Sequence, residues 1–313
     1  MSPRELVVLG TAAQAPTRAR NTNGYLLRWG DEGVLFDPGE GTQRQLLLAG
    51  VPASAITRIC LTHSHGDHTL GLPGVLARLV LDGVRRPVDL CFPSAAAPYV
   101  DALRRSATGN DALELRLHPV DGAGTVLQAR GFRVVAQPLD HRVPALGWRV
   151  EEPDGLRVLP ERLAAYGIDG PDVGRLLREG TLVRDGRSVT VADVTAARAG
   201  SRFALAMDTR LGEGVRALAD GVDLLVCEST YLAADGHLAE QYAHLTAAQA
   251  ARLARDAGVR TLVLTHFSRR YGADSDTGAA FLAEAQAVLA GSPTTVVAAR
   301  DLDRVPMPPR REE

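Results

Sequence analysis

The sequence predicts an α/β protein: two packed β-sheets with helices on their outer faces. Three observations point there. Short apolar, β-branched runs recur in both halves of the chain, helical patterns lie between them, and the alternation breaks once, at residues 151–196. A parallel sheet covered on both faces shows the same runs, so periodicity alone leaves that alternative open.

The elements follow in order. Residues 5–9 (ELVVL) form an apolar run closed by Gly10. Residues 24–29 (GYLLRW) and 33–37 (GVLFD) flank Gly30-Asp31-Glu32 and read as a hairpin. Residues 41–49 read as a short helix stopped by Gly50 and Pro52. Residues 56–61 (ITRICL) are a buried-strand candidate running into the polar loop Thr62 to His68. A helix over 71–81, a strand over 88–92 and a helix over 95–105 come next, then strands over 131–137 and 146–150. Between 151 and 196 the pattern changes to short helices over 160–166 and 172–179 and a hairpin over 181–191 about Asp185-Gly186. The body resumes with strands over 203–207, 222–227 and 261–264 and helices over 246–257 and 278–289. The tail from Pro306 to Glu313 is rich in Pro and charge and is expected to fray.

Composition bounds the function. With 313 residues the chain can build a real core, and 45% hydrophobic and 23% charged residues are ordinary for a globular protein. No apolar run approaches the roughly 18–20 residues of a membrane-spanning helix, so no membrane partner is expected. The start, MSPRELVVLG, carries Glu5 and reads as a strand rather than a signal peptide. Three cysteines without CxxC spacing suit a reduced, cytoplasmic chain. A net charge of −2 argues against holding nucleic acid by bulk positive charge, although all 35 basic residues are arginines, whose planar fork suits phosphate.

The sharpest feature is Thr62-His63-Ser64-His65-Gly66-Asp67-His68. Three imidazoles and a carboxylate in one short loop after a strand are good donors for Zn²⁺ and related cations. Alternation points His63 and His65 one way, and the turn carries Asp67 and His68 to a second position. The loop therefore begins two metal sites and completes neither. Further donors follow apolar strands: His141 after 131–139, Asp208 after 203–206 and His266 after 262–264. Open α/β sheets place their ligands outside such strand ends.

These stretches resemble the ribonuclease Z family, tRNA 3′-processing endonucleases of the metallo-β-lactamase fold. The resemblance runs through LGTAAQAPTRARN (9–21), LFDPGEGTQRQ (35–45), THSHGDHTLGLPG (62–74), DHRVPALGW (140–148), MDTR (207–210), CESTY (227–231), AHLTAAQAA (243–251) and THFSRRY (265–271). It implies an αββα four-layer sandwich over 1–305, interrupted by an inserted substrate-binding arm at 151–196 and followed by a flexible tail at 306–313. It implies two Zn²⁺ per subunit, with Mn²⁺ or Fe²⁺ as substitutes. His63, His65 and His141 would hold one, Asp67, His68 and His266 the other, and Asp208 would bridge them. Asp67, His244 and Glu228 would be catalytic, with His244 as general acid held by Glu228. Arg142, Arg269 and Arg270, beside ligand positions, would clamp phosphates, and Gly170-Pro171 would belong to the arm that grips the tRNA body. The arm carries six arginines against five acids over 155–190 and is not strongly basic. Ser64, Pro38, Ala243 and the CESTY stretch depart from the family pattern without removing a ligand.

The expected activity is metal-dependent removal of the 3′ trailer from precursor tRNA, leaving a 3′-hydroxyl, by a homodimer that does not act on DNA. The alternatives are a phosphodiesterase or arylsulfatase-like hydrolase of the same fold acting on small molecules, and a catalytically silent RNA-binding relative.

Overall fold

The computed structural model describes residues 4–107, 109, 112–184, 186–272 and 277–310. The strands are, in chain order, β1 (Arg4–Gly10), β2 (Gly24–Trp29), β3 (Glu32–Phe36), β4 (Arg58–Cys60), β5 (Val88–Pro93), β6 (Leu115–Val120), β7 (Gly124–Ala129), β8 (Phe132–Leu139), β9 (Ala145–Glu151), β10 (Gly155–Val158), β11 (Thr181–Arg184), β12 (Arg187–Thr190), β13 (Thr195–Arg198), β14 (Arg202–Ala206), β15 (Leu224–Glu228), β16 (Thr261–Thr265), β17 (Thr295–Ala298) and β18 (Arg304–Pro306). Two compact units arise from them: Met1–Val150 with Arg202–Pro308, and Glu151–Ser201 with Pro309–Glu313.

The first unit holds two seven-stranded sheets, ordered β18-β1-β2-β3-β4-β5-β6 and β17-β16-β15-β14-β9-β8-β7. In the first sheet β1, β2 and β3 are antiparallel and β3 to β6 run parallel. In the second, β14 to β17 run parallel. One buried cluster, including Tyr25, Phe36, Phe132, Trp148, Phe203 and Val263, fills the space between the sheets. A second packs the first sheet against the helices Thr42–Leu48 and Leu72–Leu81 through Leu46, Leu72, Leu76 and Leu79. A third packs the other sheet against the helices Glu213–Ala219, Ala247–Asp256 and Thr277–Val288, where small residues such as Ala250, Ala251 and Ala254 allow close approach. This is the four-layer αββα order, and it resolves the single-sheet alternative. The strands buried on both faces are the ones that read as unbroken apolar runs.

Several elements escaped the sequence reading. β6 and β7 are half-exposed strands, LRLHPV and GTVLQA, whose mixed polarity gives no apolar run. β17 and β18 are short edge strands. Of the tail expected to fray, residues 306–310 are instead held, and 311–313 lie outside the described residues. β18 pairs with β1, the Met307 amide donates to the Arg4 carbonyl at 3.0 Å, and Arg310 donates to Glu152 at 2.8 Å.

The second unit ends at Ser201, five residues beyond the expected boundary. The cause is pairing: β13 returns beside β10, and the Gly200 amide donates to Asp154 at 2.8 Å. β11 pairs with β12, and Ile168, Leu176, Leu182, Val189 and Val194 form a small core. Asp185, placed by the sequence at that hairpin turn, lies outside the described residues. Among the described residues no helix is long and apolar enough to cross a membrane.

One close packing carries the site. The turn at Gly39 lies between β2 and the histidine loop, its amide donating to the Asn23 carbonyl at 2.8 Å. Gly71 donates to the Pro38 carbonyl at 2.9 Å, and a Cβ at Gly71 would lie 1.9 Å from the Gly39 oxygen. Gly71→Ala is therefore expected to lower the free energy of unfolding by about 1–3 kcal/mol, the usual cost of overpacking, as read by urea denaturation.

Candidate metal centre

The site sits where strands of both sheets end. β4 delivers the Thr62–His68 loop, β8 leads to His141, β14 to Asp208, β15 to Glu228 and β16 to His266. Each apolar strand is fixed by core packing, so the polar residue that follows it is held at a set height above the sheet. Asp37, Asp208 and His266, each just after a strand, adopt positive φ of 44°, 41° and 61°. Non-glycine residues reach that region at a cost and persist there when the surroundings over-determine them.

The distances bring the expected ligands together. His63 Nε2 lies 3.5 Å and His141 Nε2 3.7 Å from Asp208 Oδ2. His68 Nε2 and His266 Nε2 lie 3.4 and 3.3 Å from the other oxygen, Asp208 Oδ1, and 3.4 and 3.5 Å from Asp67 Oδ2. Two donor groups result, His63-His65-His141-Asp208 and Asp67-His68-His266, each with atoms within 4.8 Å of one another. The two oxygens of Asp208 thus face the two groups. A third combination joins His244 to Asp208 and His266.

Hydrogen bonds on the far side of the His68, His141 and His266 rings orient them. His68 Nδ1–H donates to Asp37 Oδ2 at 2.8 Å, and His141 Nδ1–H to the Ala243 carbonyl at 3.0 Å. Thr230 donates its hydroxyl to Glu228 at 2.6 Å, so its oxygen accepts from His266 Nδ1–H at 2.7 Å. Each bond leaves the Nε2 lone pair pointing inward, as metal-binding imidazoles require. His141 Nε2, His266 Nε2 and Asp208 Oδ1 are buried with no hydrogen-bond partner. Unsatisfied buried acceptors are costly, and a cation shared among them removes that cost. The residues present therefore fit divalent metal, and their imidazole and carboxylate donors are those such a site uses.

Electrostatics agree with that reading at His63, Asp67 and Asp208. Burial pushes His63 well down, helped by the neighbouring His68. Burial also opposes charge on Asp67 and Asp208, yet the imidazoles around them hold both carboxyls below the usual range. His68 goes the other way: burial opposes its charge, but Asp67, Asp208 and Asp37 raise its pKa.

His244 stands at the edge of this cluster, its ring centroid 5.4 Å from those of His141 and His266. Its Nδ1 lies 3.0 Å from Glu228 Oε1, a fully buried carboxylate that also accepts from the Thr209 amide at 2.9 Å. Burial disfavours a charged ring there, but Glu228, then Asp208, outweigh it and the pKa is pushed up to about 9. A protonated imidazole with Nδ1–H fixed on Glu228 keeps its second proton on Nε2.

The arginines are looser. Arg142 is exposed, lines the cleft beside His65 and Asp67, and stacks 5.5 Å from the Tyr242 ring centroid. Arg269 and Arg270 are exposed on the short turn after His266, with Arg270 3.9 Å from Asp235. Gly170 and Pro171 open the helix Gly170–Glu179 of the second unit.

Asp37, Thr62 and Thr230 escaped the sequence reading as site residues. Asp37 also accepts from the Thr62 amide and hydroxyl, each at 2.7 Å. Its signal was present: like Asp208, it follows an apolar strand, but it was read as that strand's last residue.

A histidine-rich centre between the strand ends of two packed sheets defines a metallo-hydrolase, and residues 17–192 match the metallo-beta-lactamase superfamily. The ribonuclease Z of Nocardia farcinica is 57% identical over 312 residues, covering 99% of this chain and 100% of its own length. That of Salinispora arenicola is 54% identical over 311 residues, covering 99% and 98%. The crystal structure of human tRNase Z, short form, superposes with a TM-score of 0.69 at 24% identity, covering 97% of this chain and 99% of that one, and so shares the fold. The chain belongs to the ribonuclease Z family of that superfamily.

Because Asp37 orients His68 from behind, Asp37→Asn is expected to weaken metal binding about 10–100-fold, the usual effect of losing an outer partner. Competition with a chromophoric chelator reads it directly.

Proposed function

We propose that this chain is a metal-dependent endoribonuclease that removes the 3′ trailer from precursor tRNA, leaving a tRNA 3′-hydroxyl and a trailer with a 5′-phosphate. The observation that carries the reading is His244, held on Glu228 beside two donor groups that the two oxygens of Asp208 face. Full-length similarity to proteins named ribonuclease Z supplies the substrate.

His63, His65 and His141 would hold one cation, Asp67, His68 and His266 the second, and Asp208 both. Three-imidazole and mixed carboxylate sets favour zinc and also accept Mn²⁺ or Fe²⁺. A pair of such cations lowers the pKa of a water and neutralises charge on a phosphoryl group in transfer. The chain's own side chains do the rest. Glu228 keeps His244 charged and turned, and His244 Nε2 holds the proton that the departing 3′-oxygen needs. Arg142, Arg269 and Arg270 pair with backbone phosphates and place the scissile bond. Asp67, besides binding metal, accepts from the Gln14 amide at 2.8 Å, which fixes its carboxylate.

The second unit is the arm for the tRNA body, with Gly170-Pro171 at its helix start. An A-form helix hides its deep groove, so recognition there is of shape and phosphate position. The working form is a cytoplasmic homodimer.

His244→Ala should keep its metal content and lose about 10²–10⁴-fold in turnover on a 3′-extended precursor tRNA. Unchanged turnover would remove His244 from the chemistry. Chelation should abolish cleavage, and added Zn²⁺ or Mn²⁺ should restore it. Deleting residues 154–199 should raise KM for precursor tRNA and spare hydrolysis of bis-(p-nitrophenyl) phosphate. An equal loss on both substrates would deny the arm a role in recognition.

A further inference from the structure

Each donor group takes side chains from both sheets. His63 and His65 follow β4 of the first sheet, while His141 and Asp208 follow β8 and β14 of the second. Asp67 and His68 come from the first sheet, and His266 follows β16 of the second. The spacing of donors therefore depends on how far apart the two sheet ends are held. Apolar packing is non-directional, whereas buried hydrogen bonds fix distance and angle.

Directional links cross between the sheets at this end. Beside the first group, the Leu146 amide donates to the Thr62 carbonyl at 2.9 Å and Trp148 Nε1–H to the Leu61 carbonyl at 3.2 Å. Beside the second group the Phe267 amide donates to the Thr11 carbonyl at 2.9 Å and the Ala13 amide to the Phe267 carbonyl at 3.1 Å, and beneath it lies a side-chain link, the Tyr25 hydroxyl. From β2 it donates to Asn23 Oδ1 at 2.8 Å and accepts from Thr265 Oγ1 at 2.7 Å. Thr265 ends β16 and immediately precedes His266. Asn23 Nδ2 lies 3.1 Å from His68 Nε2, and the Asn23 carbonyl accepts from Gly39. Asn23, Tyr25 and Thr265 are all fully buried, so each polar atom in this file relies on its neighbour.

We propose that Tyr25 is a positioning residue for one metal position only, that of Asp67, His68 and His266. It acts through Thr265, the residue that immediately precedes His266. The inference rests on the two-metal reading above. A tyrosine that merely fills the core would leave both donor groups alike on Tyr25→Phe, because that change keeps the ring and removes only the hydroxyl contact with Thr265.

The test measures zinc affinity by competition with a chromophoric chelator on the full-length chain. Tyr25→Phe is placed in two backgrounds: His141→Ala, which leaves the second donor group intact, and His266→Ala, which leaves the first. Affinity should fall about tenfold in the His141→Ala background and change less than twofold in the other. Equal losses in the two, or no loss in either, would overturn the assignment. Thr265→Val, which removes the partner hydroxyl and keeps the shape, should give the same selective loss and serves where Tyr25→Phe folds poorly. A parent chain that binds no zinc sinks the two-metal reading as well. A parent that binds two equivalents, with no selective loss on substitution, sinks this inference alone.

Discussion

Asp208 is buried between imidazoles from both sheets, and one of its oxygens has no hydrogen-bond partner. An ionised carboxylate taken out of water is stable only against compensating charge. The surrounding rings supply part of it, since they hold Asp208 well below the usual carboxylate range. The inward Nε2 atoms of His141 and His266 share the deficit, each buried and unpaired. A cluster of acceptors facing each other across a few ångströms has one simple resolution, a divalent cation. The reactivity then follows from the same burial, because charge interactions are strong where water is excluded.

That arrangement is held from behind rather than by the donors themselves. Asp37, Thr230 and the Ala243 carbonyl each take the outer ring proton of one histidine. Glu228 does the same for His244, and it also accepts from Thr230, so the proposed acid and one metal-ligand candidate share a support. The left-handed backbone at Asp37, Asp208, Ala243 and His266 lies around this shell. Strain of that kind persists at sites where packed strands on either side leave the loop no alternative. Two seven-stranded sheets with buried faces give that rigidity, and they separate the chemistry at their ends from the core between them.

Much of this was legible in the chain. The apolar runs located the strands that are buried on both faces, such as β4, β5, β14, β15 and β16, because such strands have no polar side to disguise them. His63, His65, Asp67 and His68 stood out because four donors crowd one short loop. β6 and β7 were not legible, since a half-exposed strand alternates too weakly over six residues to rise above a loop. The start of the tail is not legible because Pro and charge describe only local preference, while β18 is held by pairing with β1 almost three hundred positions away. Asp37 was passed over because its role lies in an acceptor geometry toward Thr62 and His68 that no local pattern encodes.

The sequence by itself determined the layered α/β class, the donor types and the loop that begins both donor groups, since these follow from composition and short-range spacing. Only the tertiary structure decided which oxygen of Asp208 faces which group, which nitrogen of His68, His141 and His266 points inward, and that Tyr25 reaches across the sheets to Thr265 beside His266. The reason is that a side chain's partner is fixed by where separate strands end after packing, and that distance is a property of two sheets together rather than of any stretch of chain.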